Sequence, residues 1–280
     1  MAKIYVTSLR TPHSAPTTPH ARDHINGWRR NHDEHVHISQ NTTDEMCLIG
    51  ASIIKGLARF AHIWRSLSGG AVKAVHFGIG GDRTQHTLWR AINGAIKSTT
   101  KCVVINVGNN NIDHDMPSEI ANGIISIGLQ FQRELPDVAC LLFGLLPRDE
   151  GYSWRRERQH AINRKIEQFC HDKRGFYYLP PDKRFAPGED GHINRTLYHT
   201  DLLHLNPRGN AVFGGNIFNT ISNIMFSSGG RGNPTLDSYS IGQPERIGAI
   251  LPHHPATPPP PMGRPPVHAI TLVQPTSWGG

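Results

Sequence analysis

Five short apolar runs recur along the chain, the first four each followed by a stretch with helical periodicity and the fifth by a long loop before the last helix. This alternation limits the fold more than any other feature of the sequence. The runs are MCLIG (46–50), AVKAVHF (71–77), KCVVINVG (101–108), VACLLFGLL (138–146) and GFYYL (175–179). They are almost continuously apolar, the pattern of strands covered on both faces, and KCVVINVG, rich in β-branched residues, is the clearest. Helices are expected over 52–67, where Ile53, Leu57, Phe60 and Trp64 recur at helical spacing, and over 84–92, 117–135, 154–170 and 207–224. Pro117 suits the first turn of the third of these. Strands alternating with helices imply right-handed βαβ units and a parallel sheet. In such sheets ligands bind outside the carboxyl ends of the strands. The loops after the first four strands, and the segment before the last helix, are therefore where chemistry is expected.

Composition separates this domain from its ends. Residues 227–280 hold 11 of the 21 prolines, and residues 1–40 hold six histidines and three prolines. The expected organisation is a polar, disordered arm over 1–43, an α/β domain over 44–226 and a Pro/Gly-rich disordered tail over 227–280. The tail segment HHPATPPPPMGRPP could dock on an SH3-like or WW-like partner as a polyproline helix. HDEHVH (32–37) fits no standard zinc spacing, so His32, His35 and His37 are expected to be solvated, with no metal and no cofactor. The net charge of +7 is thinly spread. Its densest run, Arg155, Arg156, Arg158, Arg164 and Lys165, is interrupted by Glu157, which gives nucleic acid only weak support as a partner. Cys47, Cys102, Cys140 and Cys170 form no C-x-x-C pair, and the first three sit in strand-like runs, as small buried hydrophobes do. With no signal segment and no apolar run long enough for a membrane span, a cytoplasmic protein is expected.

The strand-end loops carry a distinctive set of residues. Ser52 opens a helix after the first strand. Gly78-Ile79-Gly80-Gly81-Asp82 follows the second, and Gly108-Asn109-Asn110-Asn111 the third. Asp201-Leu202-Leu203-His204 precedes the last helix. A serine hydroxyl needs a base to become nucleophilic, and the base needs an orienting group. His204 could take the Ser52 proton while Asp201 holds the other ring nitrogen. Backbone N–H groups in a glycine-rich turn and an asparagine amide could receive an oxyanion. Two competing motifs fail. Arg83 stands where a dinucleotide fingerprint needs its last glycine, and no G-x-S-x-G elbow is present.

The order Gly-x-Ser, Gly, Gly-x-Asn, Asp-x-x-His resembles the SGNH (GDSL-type) hydrolases. IWRSL, HFGIGGDRTQHTLWR, INVGNNN, GLLPRDE and DLLHL resemble the catalytic subunits of the intracellular platelet-activating factor acetylhydrolase in particular, over about residues 46–224. The resemblance implies a flavodoxin-like three-layer sandwich with a five-stranded parallel sheet and metal-independent hydrolysis of small, often acetyl, esters. It implies Ser52 as nucleophile with His204 and Asp201. Its oxyanion hole is the backbone N–H of Ser52 and Gly81 with the Asn110 side chain. It also implies a homodimer. Ala51 stands where the family has aspartate, His76 where asparagine is common and Asn109 where threonine is common. IIKGLARF…IWR looks more like the copies of this domain found in proteins of some non-LTR retrotransposons. A second expectation follows from Ala51, the basic helix and the polar ends: a catalytically degenerate binding or assembly module, associated with RNA.

Overall fold

A computed structural model of the chain describes residues 15–59, 74–95, 98–188 and 190–226. The five strands are β1 (Met46–Gly50), β2 (Ala74–Gly78), β3 (Cys102–Asn106), β4 (Ala139–Phe143) and β5 (Phe176–Leu179). All pairs are parallel, in the order β2-β1-β3-β4-β5. This is the flavodoxin-like order, in which the chain runs outwards in both directions from β1. Six helices accompany the strands in the described residues: α1 (Trp28–Asn41), α2 (Ser52–Ala58), α3 (Thr84–Ile92), α4 (Pro117–Glu134), α5 (Trp154–Asp172) and α6 (Pro207–Phe226).

The period-2 alternation of a strand divides the core in two. On one face Ile49, Val103, Ile105, Cys140 and Leu142 meet Leu88 of α3, Ile120 and Ile124 of α4, and Ile162 and Ile166 of α5. On the other, Leu48, Val104, Leu141 and Phe143 meet Ile54 and Leu57 of α2 and Phe213 and Ile217 of α6. Every residue of β1 and β3 is buried, which accounts for their unbroken apolar sequence. The four cysteines are free and buried among these side chains.

Two expectations need adjustment, and a third falls partly outside the described residues. The helix expected over 52–67 is described only as Ser52–Ala58, so Phe60 and Trp64 lie outside the described residues, as do the tail and residues 1–14. The segment from residue 15 to 41 is not a disordered arm. It docks on the end of β2 and on α3, with Trp28, His32 and Ser39 buried and the His35 ring stacked on Phe77 at 4.7 Å. The physical reason is that the inward face of α1 is made of tryptophan, histidine and serine at helical spacing rather than of aliphatic residues. A hydropathy pattern does not register such a face. His32 and His35 are packing residues, not solvated ones, and burial lowers the pKa of both, that of His35 to about 3.

Candidate active site

Ser52 is the first residue of α2, directly beyond the carboxyl end of the interior strand β1. Two glycines let the helix start so close to the sheet. A Cβ on Gly50 would fall 2.0 Å from the Asn106 carbonyl oxygen, and one on Gly78 would fall 2.1 Å from the Lys55 backbone nitrogen. The backbone N–H of Ala51 donates to that Asn106 carbonyl at 3.3 Å. Ala51 occupies the cap position, with no side-chain hydrogen bond to the helix. The serine hydroxyl is therefore not spent on capping. Its Oγ lies 2.9 Å from Nε2 of His204.

The other ring nitrogen of His204, Nδ1, lies 2.5 Å from Oδ2 of Asp201. A carboxylate can only accept there, so Nδ1 carries the proton and Nε2 is left with a lone pair facing the serine. The remaining carboxylate oxygen, Oδ1, accepts from the backbone N–H of Leu203 at 3.1 Å and of His204 at 2.9 Å. Partial burial alone would raise the Asp201 pKa. The hydrogen bonds from the His204 ring and from these two backbone groups outweigh it and hold the pKa at about 2. The turn is closed by backbone bonds from His199 N–H to His204 and from Leu202 N–H to His199, at 2.8 and 3.0 Å.

Gly81 and Asn110 sit on the loops of the two strands that flank β1. Gly81 has φ 76°, a left-handed conformation that glycine adopts without penalty. Asn110 lies in the short 3-10 turn Asn109–Asn111, and its Nδ2 donates to the Asp82 carbonyl at 2.8 Å. The two loops are thus joined to each other. Neither residue makes a hydrogen bond to Ser52 among the described residues.

Beneath these loops lies a polar cluster that sequence reading passed over. Arg90, fully buried, donates from Nη1 to the Phe77 carbonyl and from Nη2 to the Gly50 carbonyl, both at 2.8 Å. Its Nε lies 2.9 Å from Oδ2 of Asp82, which is also fully buried. The other Asp82 oxygen accepts from Nε1 of Trp28 at 2.7 Å, and Arg22 donates to the Gly80 carbonyl at 3.1 Å. Burial pushes the pKa of Asp82 up and that of Arg90 down, and the opposite charge at contact distance works against both shifts. The visible signal was an arginine in the 84–92 helix, eight residues after an aspartate that closes a glycine turn.

The basic run on α5 is largely occupied. Arg155 pairs with Asp113 at 2.6 Å, Arg156 donates to the Gly191 carbonyl at 3.0 Å, and Arg158 donates to the Asp115 carbonyl. Part of the donor capacity of this run is therefore used within the fold. Among the described residues no cluster of three His, Cys, Asp or Glu side chains is placed to hold a metal ion, and no helix is long and apolar enough to cross a membrane.

The model of the GDSL-like lipase/acylhydrolase family matches residues 48–212. The chain is 30% identical over 230 residues to platelet-activating factor acetylhydrolase IB subunit alpha1 of Pongo abelii, covering 81% of this chain and 96% of that one. It is 29% identical over 197 residues to the alpha2 subunit of Homo sapiens, covering 69% and 84%. Among solved structures, a GDSL-like lipase from Bacteroides thetaiotaomicron superposes with TM-score 0.56 at 21% identity, over 70% of this chain and 97% of that one. A carbohydrate esterase family 3 protein from Talaromyces cellulolyticus gives TM-score 0.54 at 16% identity, over 66% and 99%. At these identities the two structures speak to fold alone.

Proposed function

The chain belongs to the GDSL-like lipase/acylhydrolase family and is a carboxylic ester hydrolase; from that premise we propose that Ser52, His204 and Asp201 cleave a small acyl ester through an acyl-enzyme. The observation that carries this reading is the unbroken chain of hydrogen bonds from the Ser52 hydroxyl through His204 to Asp201, at 2.9 and 2.5 Å.

In this mechanism Ser52 Oγ attacks the acyl carbonyl as its proton passes to Nε2 of His204. The oxyanion is received by the backbone N–H groups of Ser52 and Gly81 and by Nδ2 of Asn110. An amide nitrogen carries two N–H groups. The bond from one of them to the Asp82 carbonyl fixes the amide plane and aims the second. Collapse expels the alcohol, which takes the proton back from His204. Water, deprotonated by the same imidazole, then releases the acid and frees Ser52. Asp201 keeps the productive tautomer and balances the imidazolium as it forms. An acetyl-sized acyl group is the expected substrate, because the acetylhydrolase subunits are 29–30% identical to this chain across most of their length.

The test compares p-nitrophenyl acetate hydrolysis by the wild type and Ser52→Ala, with fluorophosphonate labelling alongside. Turnover and labelling that both vanish in Ser52→Ala support the reading, and equal rates for the two proteins overturn it. The Ser52–His204–Asp201 hydrogen-bond chain favours this reading over an RNA-binding module.

A further inference from the structure

We propose that Asp82 and Arg90 form a positioning clamp that sets the oxyanion-binding groups against the nucleophile. The proposal rests on the hydrolase reading above and adds two residues to it.

Arg90 holds the carbonyls of Gly50 and Phe77, at the carboxyl ends of adjacent strands β1 and β2. Gly50 lies two residues before Ser52, and Phe77 four residues before Gly81. One guanidinium therefore fixes the spacing between the strand that carries the nucleophile and the strand that leads to the oxyanion loop. Asp82 directly follows Gly81. Its carboxylate is gripped by Arg90 at 2.9 Å and by Trp28 at 2.7 Å, while its own carbonyl takes the Asn110 amide at 2.8 Å. Asp82 thus touches, through one side chain and one carbonyl, every element on which the proposed oxyanion donors of β2 and β3 stand.

Stability alone is a poor account of this arrangement. A buried ion pair loses so much solvation that well-packed apolar residues of the same volume often do as well or better. What apolar residues cannot do is read two carbonyls and a carboxylate from one planar fork. Lysine cannot do it either, because it is a single point charge. Asp82 and Arg90 touch neither the serine nor the imidazole, so their effect is on position and not on proton transfer.

The variants are Asp82→Asn, Arg90→Lys and Asn110→Ala, made in the full chain, with folding followed by circular dichroism and thermal melting. The expected result for folded Asp82→Asn and Arg90→Lys is a fall in kcat of about 30-fold or more on p-nitrophenyl acetate, approaching the loss of an oxyanion donor. KM should change by less than about threefold, because binding common to ground and transition states is untouched. The pH midpoint of kcat/KM should not move, since the imidazole and its partner are intact. Asp82→Asn combined with Asn110→Ala should be no more than about twofold worse than the worse single variant, because coupled residues are not additive. A merely structural role lowers the melting temperature without these signatures. A kcat within about threefold of wild type in both folded variants, or fully multiplicative losses in the double variant, overturns the clamp. Should neither variant fold, Trp28→Phe removes the indole N–H that Asp82 accepts, along with part of the ring, and leaves the Asp82–Arg90 pair itself in place. A kcat about three- to tenfold lower at constant KM supports the clamp, and an unchanged kcat overturns it. If wild type and Ser52→Ala hydrolyse equally, the underlying reading has failed. If activity depends on Ser52 yet ignores these variants, only the clamp has failed.

Discussion

The backbone N–H of Asp149 donates to the Leu202 carbonyl at 3.2 Å, and both residues hold a positive φ, 64° and 52°. Leu202 lies inside the Asp201–His204 turn, and Asp149 lies in the loop after β4. The bond therefore ties the turn that carries the imidazole to the sheet. Aspartate tolerates the left-handed region better than most residues, whereas leucine does not. Asp149→Asn should keep stability within about 0.5 kcal/mol, because asparagine is at ease there. Asp149→Ala should cost about 1–2 kcal/mol, since it keeps the left-handed backbone and loses the Ser153 hydroxyl contact at 3.0 Å. Urea unfolding of the three proteins checks this, and equal midpoints for Asn and Ala would refute it.

Asn110→Ala should fold normally and lose about 10²–10³ in kcat, the usual cost of one oxyanion donor. The side chain is only half-buried, so little packing is lost with it. Steady-state kinetics on p-nitrophenyl acetate, with melting as the folding control, give the answer. A loss below about fivefold would remove Asn110 from the mechanism.

Asp201, with its pKa at about 2, stays ionised throughout the working range. Asp201 should therefore add no ionisation of its own to the acid side of the activity profile between pH 8 and pH 4. Asp201→Asn should lower kcat by about 10³–10⁴, because the amide can donate to Nδ1 and favour the wrong tautomer. A second acid-side ionisation in the wild-type profile that disappears in Asp201→Asn would count against this assignment.

His35 and His86 predict acid sensitivity of the fold. Burial lowers both to about 3, helped by Arg90 near His35 and by Arg22 and Arg83 near His86. Nδ1 of His86 also accepts the Arg83 backbone N–H at 2.9 Å, so its lone pair is in use. In the unfolded chain histidine binds a proton near pH 6.5. As pH falls from 6.5 towards 3 the unfolded state gains protons that the native state refuses, so stability drops across that window. Above pH 6.5 the contribution is complete. Urea midpoints at pH 7.5 and 4.5 should differ less in His35→Phe and His86→Gln than in the wild type, and identical pH dependence in all three would contradict the argument.

Gly78 and Gly80 separate close approach from turn flexibility. A methyl group at Gly78 would meet the Lys55 backbone 2.1 Å away, while one at Gly80 meets nothing within 4 Å. Gly78→Ala should destabilise by about 3 kcal/mol or more, because backbone cannot yield as a side chain does. Gly80→Ala should melt within about 2 °C of wild type, the range of a neutral surface change. Similar melting temperatures for the two variants would disprove the distinction.

The sheet was legible because its strands are buried on both sides and spell themselves out as apolar runs: MCLIG and CVVIN needed no context. Ser52, Asp201 and His204 stood out because each lies in a strand-end loop or beside the last helix, where a βα fold gathers its polar groups. Helix α1 was not legible. Its inward face reads as Trp28, His32, His35 and Ser39, and the Trp89 and Phe77 rings and the Asp82 carboxylate explain why such residues turn inwards. Arg90 was missed for a related reason. An arginine in TQHTLWRAI looks like a solvated end of the helix until the carbonyls of Gly50 and Phe77 are known to lie opposite it.

Trp28 covers a pair of opposite charges that have no contact with water. A fragment begun at residue 44, where hydropathy would cut, keeps the serine, the imidazole and the carboxylate. It also strips the lid from Asp82 and Arg90 and lets solvent compete for the carbonyls that they hold. For this chain the smallest excisable hydrolase starts upstream of the tryptophan, and deletion mapping from the amino end should find activity ending there, well before the first strand is reached.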